Sequence, residues 1–495
     1  MRELVIILGV PVDNLTMAEA LDQFEAFVES GRMNGRSHQV VTVNADFVKN
    51  GLRDPELRFL LQDADLATAD GMPLVWGARL LNVPLKGRLA GADLVPRLAE
   101  RAAQKGYSIF LLGGAPGVAK LAAQKLQACY PGLKIAGLLA PPVSSVLEMD
   151  NSILETIRAA RPDILLVAFG NPKQEKWIGM YKKQLCVPVM MGVGGTLDFV
   201  AGMTHRAPGW MQRSGLEWLF RLIQEPGRLW RRYFSDMVMF GAFFIRQWWV
   251  MRRGGAYADM LPAADLVLAS HTAIIRVAGS LTVANYGTFN SLVEQALATT
   301  PSILVNMAEM RFVDSAAIGS LVHFAKRARD AGGELALVQV PRAIRTALSM
   351  LRLIEFLTIY PTMEAALGAA PAGDRVTAPA PAGASNSRAA FAHVGATPWM
   401  VVKAARRLDA TTAPDMIRIG TDSLAQHRYL IVDLSDTVIL TSAGLSALAH
   451  LNRLAQEQHG ALRVTGCSTD VMQVIRMVRF DKVLALYRDV GSATA

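Results

Sequence analysis

Between residues 1 and 204, short apolar runs alternate with stretches whose apolar residues recur at helical spacing. VVTVNA (40–45), YSIFLLGG (107–114), DILLVAFG (163–170) and VPVMMGVGG (187–195) read as strands, and most end in Gly or Asn before a helical stretch. Such alternation predicts an α/β domain with a largely parallel sheet. Ligands of these sheets bind beyond the carboxyl ends of the strands, so the polar and Gly residues closing each run are the candidate chemistry. The N-terminal MRELVIILGVPVDN reads as a first strand, because it lacks the basic n-region and small-residue cleavage site of a secretory signal.

The pattern changes over 205–253, where arginines are interleaved with Trp210, Trp218, Trp230, Trp248 and Trp249 in apolar helical runs. The most apolar piece, MVMFGAFFIRQWWVM (237–251), is interrupted by Arg246 and is shorter than the roughly 20 residues a membrane-spanning helix needs. From 260 onward, strand and helix patterns return in two copies. Ser315 and Ser442 are 127 positions apart, and the same offset pairs Val305 with Val432, Leu321 with Leu448, Gly333 with Gly460 and Tyr360 with Tyr487. That period is too long for a solenoid and describes two tandem domains. Five segments are expected: 1–204, 205–253, 260–369, a Pro/Ala/Gly/Ser-rich flexible linker at 370–396, and 397–495.

Composition adds two constraints. Of the 495 residues, 52% are hydrophobic, which supplies several cores and excludes a mainly disordered chain. Cys129, Cys186 and Cys467 have neither CxxC spacing nor an even count, which points away from a disulfide framework or a zinc site. The net charge of +9 matters through its location. Arginines at 206, 213, 221, 228 and 231 fall in the Trp-rich stretch, against few acids, Glu217 among them. Arginines there can pair with anionic headgroups or a diphosphate, and tryptophans favour a membrane interface. A solvated basic face and aromatics packed on the core are the plainer alternatives. Nucleic acid is not expected, because the aromatics sit in apolar helical runs.

Several loops carry candidate chemistry. Thr42 and Asn44 close the first long strand, and the TADG turn presents Asp70 before a helix. A carboxylate there can act as a general base on a sugar hydroxyl, or simply cap the helix near Met72. FLLGGAPG (110–117) places Gly113 and Gly114 where backbone amides can hold a phosphate, or where a tight turn needs no ligand. AFGNPKQEKWI (168–178) offers Asn171, Lys173 and Gln174, and VGGTLDFVAG (193–202) offers Gly194 and Gly195.

TVNADFV, TADGMPLVWGARLL, GRLAGADL, FLLGGAPG, FGNPKQEKWI, GVGGTLDFVAG and RAPGWMQRSGLEWLFRLIQEPGRLWRRY occur in that order over residues 1–235. The set resembles the WecG/TagA/CpsF glycosyltransferase family. The resemblance implies a Rossmann-like, mostly parallel glycosyltransferase domain with a helical membrane-docking appendage. It also implies an inverting, metal-independent enzyme with no cofactor, moving an N-acetylmannosamine-type sugar from a UDP-sugar to an undecaprenyl-diphosphate-linked acceptor. Asp70 would be the base, with Thr42 and Asn44 in its pocket. Arg88, Gly91 and Asp93 would lie near the donor, Gln174 at the nucleotide sugar, and Arg206, Arg213, Arg221, Arg228 and Arg231 at lipid or diphosphate. The enzyme would be peripheral on the cytoplasmic face of the cell membrane, and because family members often associate, a homo-oligomer stays open.

Each C-terminal copy reads strand, helix, strand, polar turn, helix, strand, helix, and both resemble α/β STAS domains, the fold of anti-sigma-factor antagonists. That resemblance implies protein partners, a kinase or anti-sigma factor among them, and makes Ser315 and Ser442 the phosphoacceptor positions. A serine at a helix start also serves as a cap. Asn306 stands where the strand usually carries Asp, and Thr441 precedes Ser442, so both copies depart from the pattern. Docking is the favoured role. A non-enzymatic, membrane-anchored regulator is the competing reading, and an oxidoreductase would need the dinucleotide fingerprint that is missing.

Overall fold

The computed structural model describes residues 3–141, 151–204, 207–209, 211, 216–224, 226–253, 263–269, 272–283, 285–369, 391–393, 399–409, 412–437, 439–477, 480 and 483–494. They belong to two compact units, residues 1–141, 157–174 and 186–383 in one, and 142–156, 175–185 and 384–495 in the other.

The first strand expected at the N-terminus is a hairpin, β1 (Leu4–Ile7) and β2 (Val10–Asp13), paired antiparallel with Ile7 opposite Val10. Leu8 and Gly9 both take positive φ, 51° and 84°, which turns the apolar run back on itself. Next come α1 (Met17–Asn34), β3 (His38–Val43), α2 (Ala45–Arg53), α3 (Pro55–Asp63), β4 (Leu66–Ala69), α4 (Met72–Leu80) and α5 (Gly91–Lys105). β5 (Ser108–Gly113), α6 (Val118–Cys129), β6 (Lys134–Leu139), α7 (Asn151–Ala160), β7 (Ile164–Ala168), α8 (Lys173–Leu185), β8 (Val189–Gly192) and α9 (Thr196–Val200) complete the domain. The six-stranded sheet runs β4-β3-β8-β7-β5-β6 and every neighbouring pair is parallel. Strands β3, β7 and β8 are buried along their whole length, as expected for a parallel sheet covered on both faces.

The pleat sorts the strand residues between two cores. Val40, Leu66, Ile109 and Leu111 face α1, α5 and α6. Val41, Val43, Ala67 and Ala69 face the other way, into a core shared with the hairpin, with α11 (Pro226–Arg253), which follows α10 (Glu217–Gln224), and with the first repeat. Phe240, Phe244 and Met251 are the residues α11 places in that core.

The first repeat comprises β9 (Ala263–Ala269), β10 (Thr272–Leu281), α12 (Tyr286–Thr299), β11 (Ser302–Val313), α13 (Ser315–Asp330), β12 (Glu334–Val338), α14 (Arg342–Met350), β13 (Thr358–Tyr360) and α15 (Met363–Ala369). Its sheet order is β13-β12-β11-β10-β9, with only β9 antiparallel. The second repeat has β14 (Phe391–His393), β15 (Trp399–Lys403), β16 (Arg407–Leu408), α16 (Ala413–Gln426), β17 (Tyr429–Asp433), β18 (Ile439–Leu440), α17 (Ser442–Glu457), β19 (Ala461–Thr465), α18 (Thr469–Met477), β20 (Ala485–Leu486) and α19 (Val490–Thr494). Its main sheet, β14-β15-β17-β19-β20, has the same plan. Helices α12, α13 and α14 coincide with α16, α17 and α18 at the 127-residue offset without a gap. The linker expected to reach 396 gives way earlier, because Phe391–His393 pair with Met400–Val402 as an edge strand. Residues 370–390 lie outside the described residues.

Asp163, at the foot of β7, accepts hydrogen bonds from Ser108 N (2.8 Å) and from Arg32 Nε and Nη2 (2.6 and 2.9 Å). Burial pushes its carboxyl up, but the bonds from Arg32 and Ser108 outweigh it and hold the group below the usual carboxylate range. A depressed carboxylate contributes stability that is present above its unfolded pKa and lost as pH falls through its folded one. Asp163→Asn is expected to cost about 1–3 kcal/mol at pH 7, with the difference closing below about pH 4. Urea unfolding followed by amide exchange on β5 and β7 across that pH range checks both statements.

Candidate active site

A cavity of about 1030 Å³ opens at the carboxyl ends of β3, β4, β7 and β8. It is at the upper end of the sizes that hold small ligands, roughly 300–1,000 Å³. Thr42, Asn44, Asp70, Arg88, Asn171, Gln174, Gly194 and Gly195 line it, so eight residues expected from separate loops converge. Gly91, Asp93, Gly113, Gly114 and Lys173 are not among the lining residues.

Each lining residue is held by local chemistry. Asn44 is the N-cap of α2, its Oδ1 accepting from Asp46 N (3.0 Å) and Phe47 N (3.2 Å). Thr42 is buried and its Oγ1 donates to Gly192 O at 3.4 Å, tying β3 to β8. Asp70 follows β4, and its backbone N–H donates to Val43 O at 2.8 Å. The N-cap of α4 is Gly71, which has no side chain to cap with, so Asp70 stands one position outside the helix at the cavity wall.

Gln174 is 2% exposed, and its Oε1 accepts from both Gly170 N (3.1 Å) and Gly194 N (2.9 Å). One carbonyl therefore fixes the turns after β7 and β8, where Gly170 and Gly194 take positive φ. Asn171 accepts from Asn50 Nδ2 at 2.7 Å. Gly91 lets α5 approach closely, since a Cβ there would lie 2.9 Å from Thr196 Oγ1. Gly113 has φ +96°, and a Cβ on it would meet Ala168 O at 2.8 Å, so it closes β5 against β7.

Arg88 pairs with Glu217 of α10 (Nη1–Oε2 2.9 Å) and more loosely with Asp93 (3.6 Å). Glu217 is buried and lines the cavity. In the sequence it stands out only as one of few acids within a basic stretch. The appendage contributes the rest of the wall: Trp218, Leu222, Trp230, Phe234, Met237 and Phe244, facing Trp76 and Leu80 of α4. A Cβ on Gly77 would meet Phe244 Cε2 at 2.9 Å, so α4 and α11 touch at that glycine. Arg206 and Arg213 lie outside the described residues, and Arg221, Arg228 and Arg231 are described only as backbone positions on α10 and α11.

The family profile described as "Glycosyl transferase WecG/TagA/CpsF family" matches residues 5–254, and the STAS domain profile matches 263–366 and 392–493. An N-acetylglucosaminyldiphosphoundecaprenol N-acetyl-beta-D-mannosaminyltransferase from Bacillus subtilis is 33% identical over 228 residues, 46% of this chain and 86% of that protein. Proteins of the same name from Bacillus spizizenii and Staphylococcus aureus are 31% and 32% identical, with the same coverage. Among solved structures, an anti-sigma factor antagonist from Mycobacterium paratuberculosis aligns at 16% identity and a TM-score of 0.21, over 22% of this chain and 92% of that one.

Replacing Gln174 by Leu, of similar size, leaves two backbone N–H groups without their acceptor. The expected loss is about 2–6 kcal/mol, since each of the two buried donors left unmet costs about 1–3 kcal/mol. A lowered thermal midpoint together with faster amide exchange at Gly170 and Gly194 is the expected result.

Proposed function

Because the chain belongs to the WecG/TagA/CpsF family and is a glycosyltransferase, we propose that it moves an N-acetylmannosamine-type sugar from a UDP-sugar to an undecaprenyl-diphosphate-linked acceptor. The reading of a non-enzymatic anchor requires a degenerate site, and Thr42, Asn44, Asp70 and Gln174 standing together in the cavity argue against it. The observation that carries the proposal is the division of the cavity. Its sheet end is polar, with Thr42, Asn44, Asp70, Arg88 and Gln174, and its outer end is apolar, walled by Trp76, Leu80, Trp218, Leu222, Phe234 and Phe244. A sugar diphosphate on a polyprenyl tail has the same two-part chemistry.

In this mechanism Asp70 takes the proton of the acceptor hydroxyl while that oxygen attacks the anomeric carbon from the face opposite UDP. The new glycosidic C–O bond forms as the bond to the β-phosphate oxygen breaks, and UDP leaves with the electron pair. The configuration inverts. Arg88, kept in place by Glu217, supports the diphosphate, as does the backbone N–H of Gly195 at the turn after β8. No metal is needed in this scheme.

The enzyme works at the inner face of the cell membrane. Helix α11 has two apolar stripes. Phe240, Phe244 and Met251 are buried, while Trp230, Phe234, Met237, Ile245 and Trp249 are 52–65% exposed. Among the described residues no helix is long and apolar enough to cross a membrane, so the exposed stripe fits a helix lying in the interfacial plane.

Transfer from UDP-N-acetylmannosamine to a polyprenyl-diphosphate-N-acetylglucosamine analogue should persist in EDTA. It should fall by about two or more orders of magnitude in Asp70→Asn, as expected for loss of a general base. Turnover that survives the substitution would remove Asp70 from the mechanism. Co-sedimentation with anionic vesicles should drop by about tenfold or more in a Trp230→Gln, Phe234→Gln, Trp249→Gln triple variant, as expected when buried apolar area is lost.

A further inference from the structure

We infer that the first STAS domain acts in cis: the face of α13 that carries Ser315 is a docking surface whose partner is the β1 edge of the chain's own glycosyltransferase domain, and this docking holds α11 over the cavity. The contacts carry the inference whichever sugar is moved, so its test reads docking and not transfer.

Ser315 is 1% exposed, and its Oγ both accepts from Ile6 N (3.0 Å) and donates to Ile6 O (2.7 Å). The cap of α13 is Asp314, whose Oδ1 accepts from Ala317 N at 2.8 Å. Ser315 is therefore spent across the interface and not on its own helix. One turn on, Gly319 lies against the strand so closely that a Cβ would be 2.5 Å from Leu4 O. Further along the same face, Lys326 Nζ reaches Asp65 Oδ1 at 3.0 Å and also donates to Asp63 O. Around the rim, Arg36 pairs with Asp330 (2.6 Å) and Arg58 with Glu355 (2.7 Å).

The link to the cavity is Gln247 of α11, which is fully buried. Its Nε2 donates to Ile6 O (2.8 Å) and its Oε1 accepts from Leu8 N (2.8 Å). Three elements thus meet at one strand edge: β1, α11 and α13.

The second repeat supplies an internal control. At the 127-residue offset, Gly319 corresponds to Ser446, Val322 to Ala449 and Lys326 to Arg453. Ser446 and Ala449 are half-buried, and the Arg453 side chain is 70% exposed beside Glu457. The face that receives β1 is specialised in the first copy alone. The side chain of Ser442 lies outside the described residues.

The test is amide exchange on the full chain, comparing wild type, Ser315→Glu and Lys326→Glu. Ser315→Glu places a carboxylate against Ile6 O, and Lys326→Glu sets like charges at Asp65 without touching the interior of the STAS domain. Both should speed exchange in residues 4–13 and 240–251 by about tenfold or more while β11 and β12 keep their protection. Ser442→Glu should leave residues 4–13 unchanged. Wild-type protection of residues 4–13 in both variants would overturn the proposal. So would loss of protection in β11 and β12 together with β1 in both, since the domain would then be one cooperative body with the transferase and not a docked module.

Discussion

The backbone of Ile6 sits on the edge of a two-stranded hairpin, where among the described residues no third strand pairs with it. Buried backbone donors and acceptors must nonetheless be met, and an orphaned one costs about 1–3 kcal/mol. Two side chains from distant parts of the chain meet this one: Ser315 serves both its N–H and its carbonyl, and Gln247 adds a second bond to the carbonyl. Because the hairpin also packs on β4, with Asp13 accepting from Ala67 N at 2.7 Å, the arrangement reaches the strand that delivers Asp70. The positions of the appendage and of the first STAS domain both follow from satisfying one exposed strand edge.

The cavity inherits its character from the same arrangement. Parallel strands bring polar loop residues to one end of the sheet, and this accounts for Thr42, Asn44, Asp70 and Gln174 standing together. They would form a shallow polar cleft without α10 and α11. The two helices add an apolar wall and, through Glu217, fix Arg88, whose charge would otherwise have the freedom of a loop side chain. Burying an ion pair of this kind adds little net stability, so its value lies in geometry.

Much of this was legible in the sequence, for identifiable reasons. Strand ends are marked by local signals, a short apolar run followed by Asn or Gly, and those signals found the convergent loops. The 127-residue offset survives in the elements because duplication preserves spacing. Legibility ended where the decisive contact was long-range or a residue served the backbone. Nothing near Ser315 in the sequence announces Ile6, which lies 309 positions away. Gln174 looked like a ligand contact, yet its carbonyl is committed to Gly170 and Gly194. The N-terminal run looked like one strand because apolar periodicity cannot register the reversal at Leu8 and Gly9.

Helix α11 shows why a polar residue belongs in such an interface. It carries apolar side chains on two faces, and hydrophobic burial alone has no strong preference between turning Phe240 and Phe244 inward or Phe234, Met237 and Ile245. Gln247 breaks that degeneracy. It lies on the same stripe as Phe240, Phe244 and Met251, and only with that stripe inward do its amide nitrogen and oxygen both find partners, on Ile6 and Leu8. Rotating the helix to bury the other stripe would take the acceptor from Leu8 N, at about 1–3 kcal/mol, and leave Ile6 O with its bond from Ser315 alone. The remaining apolar stripe is thereby left exposed, and it is the stripe that the proposed membrane contact would use. A single buried glutamine sets which side of the helix packs into the protein core and which side does not.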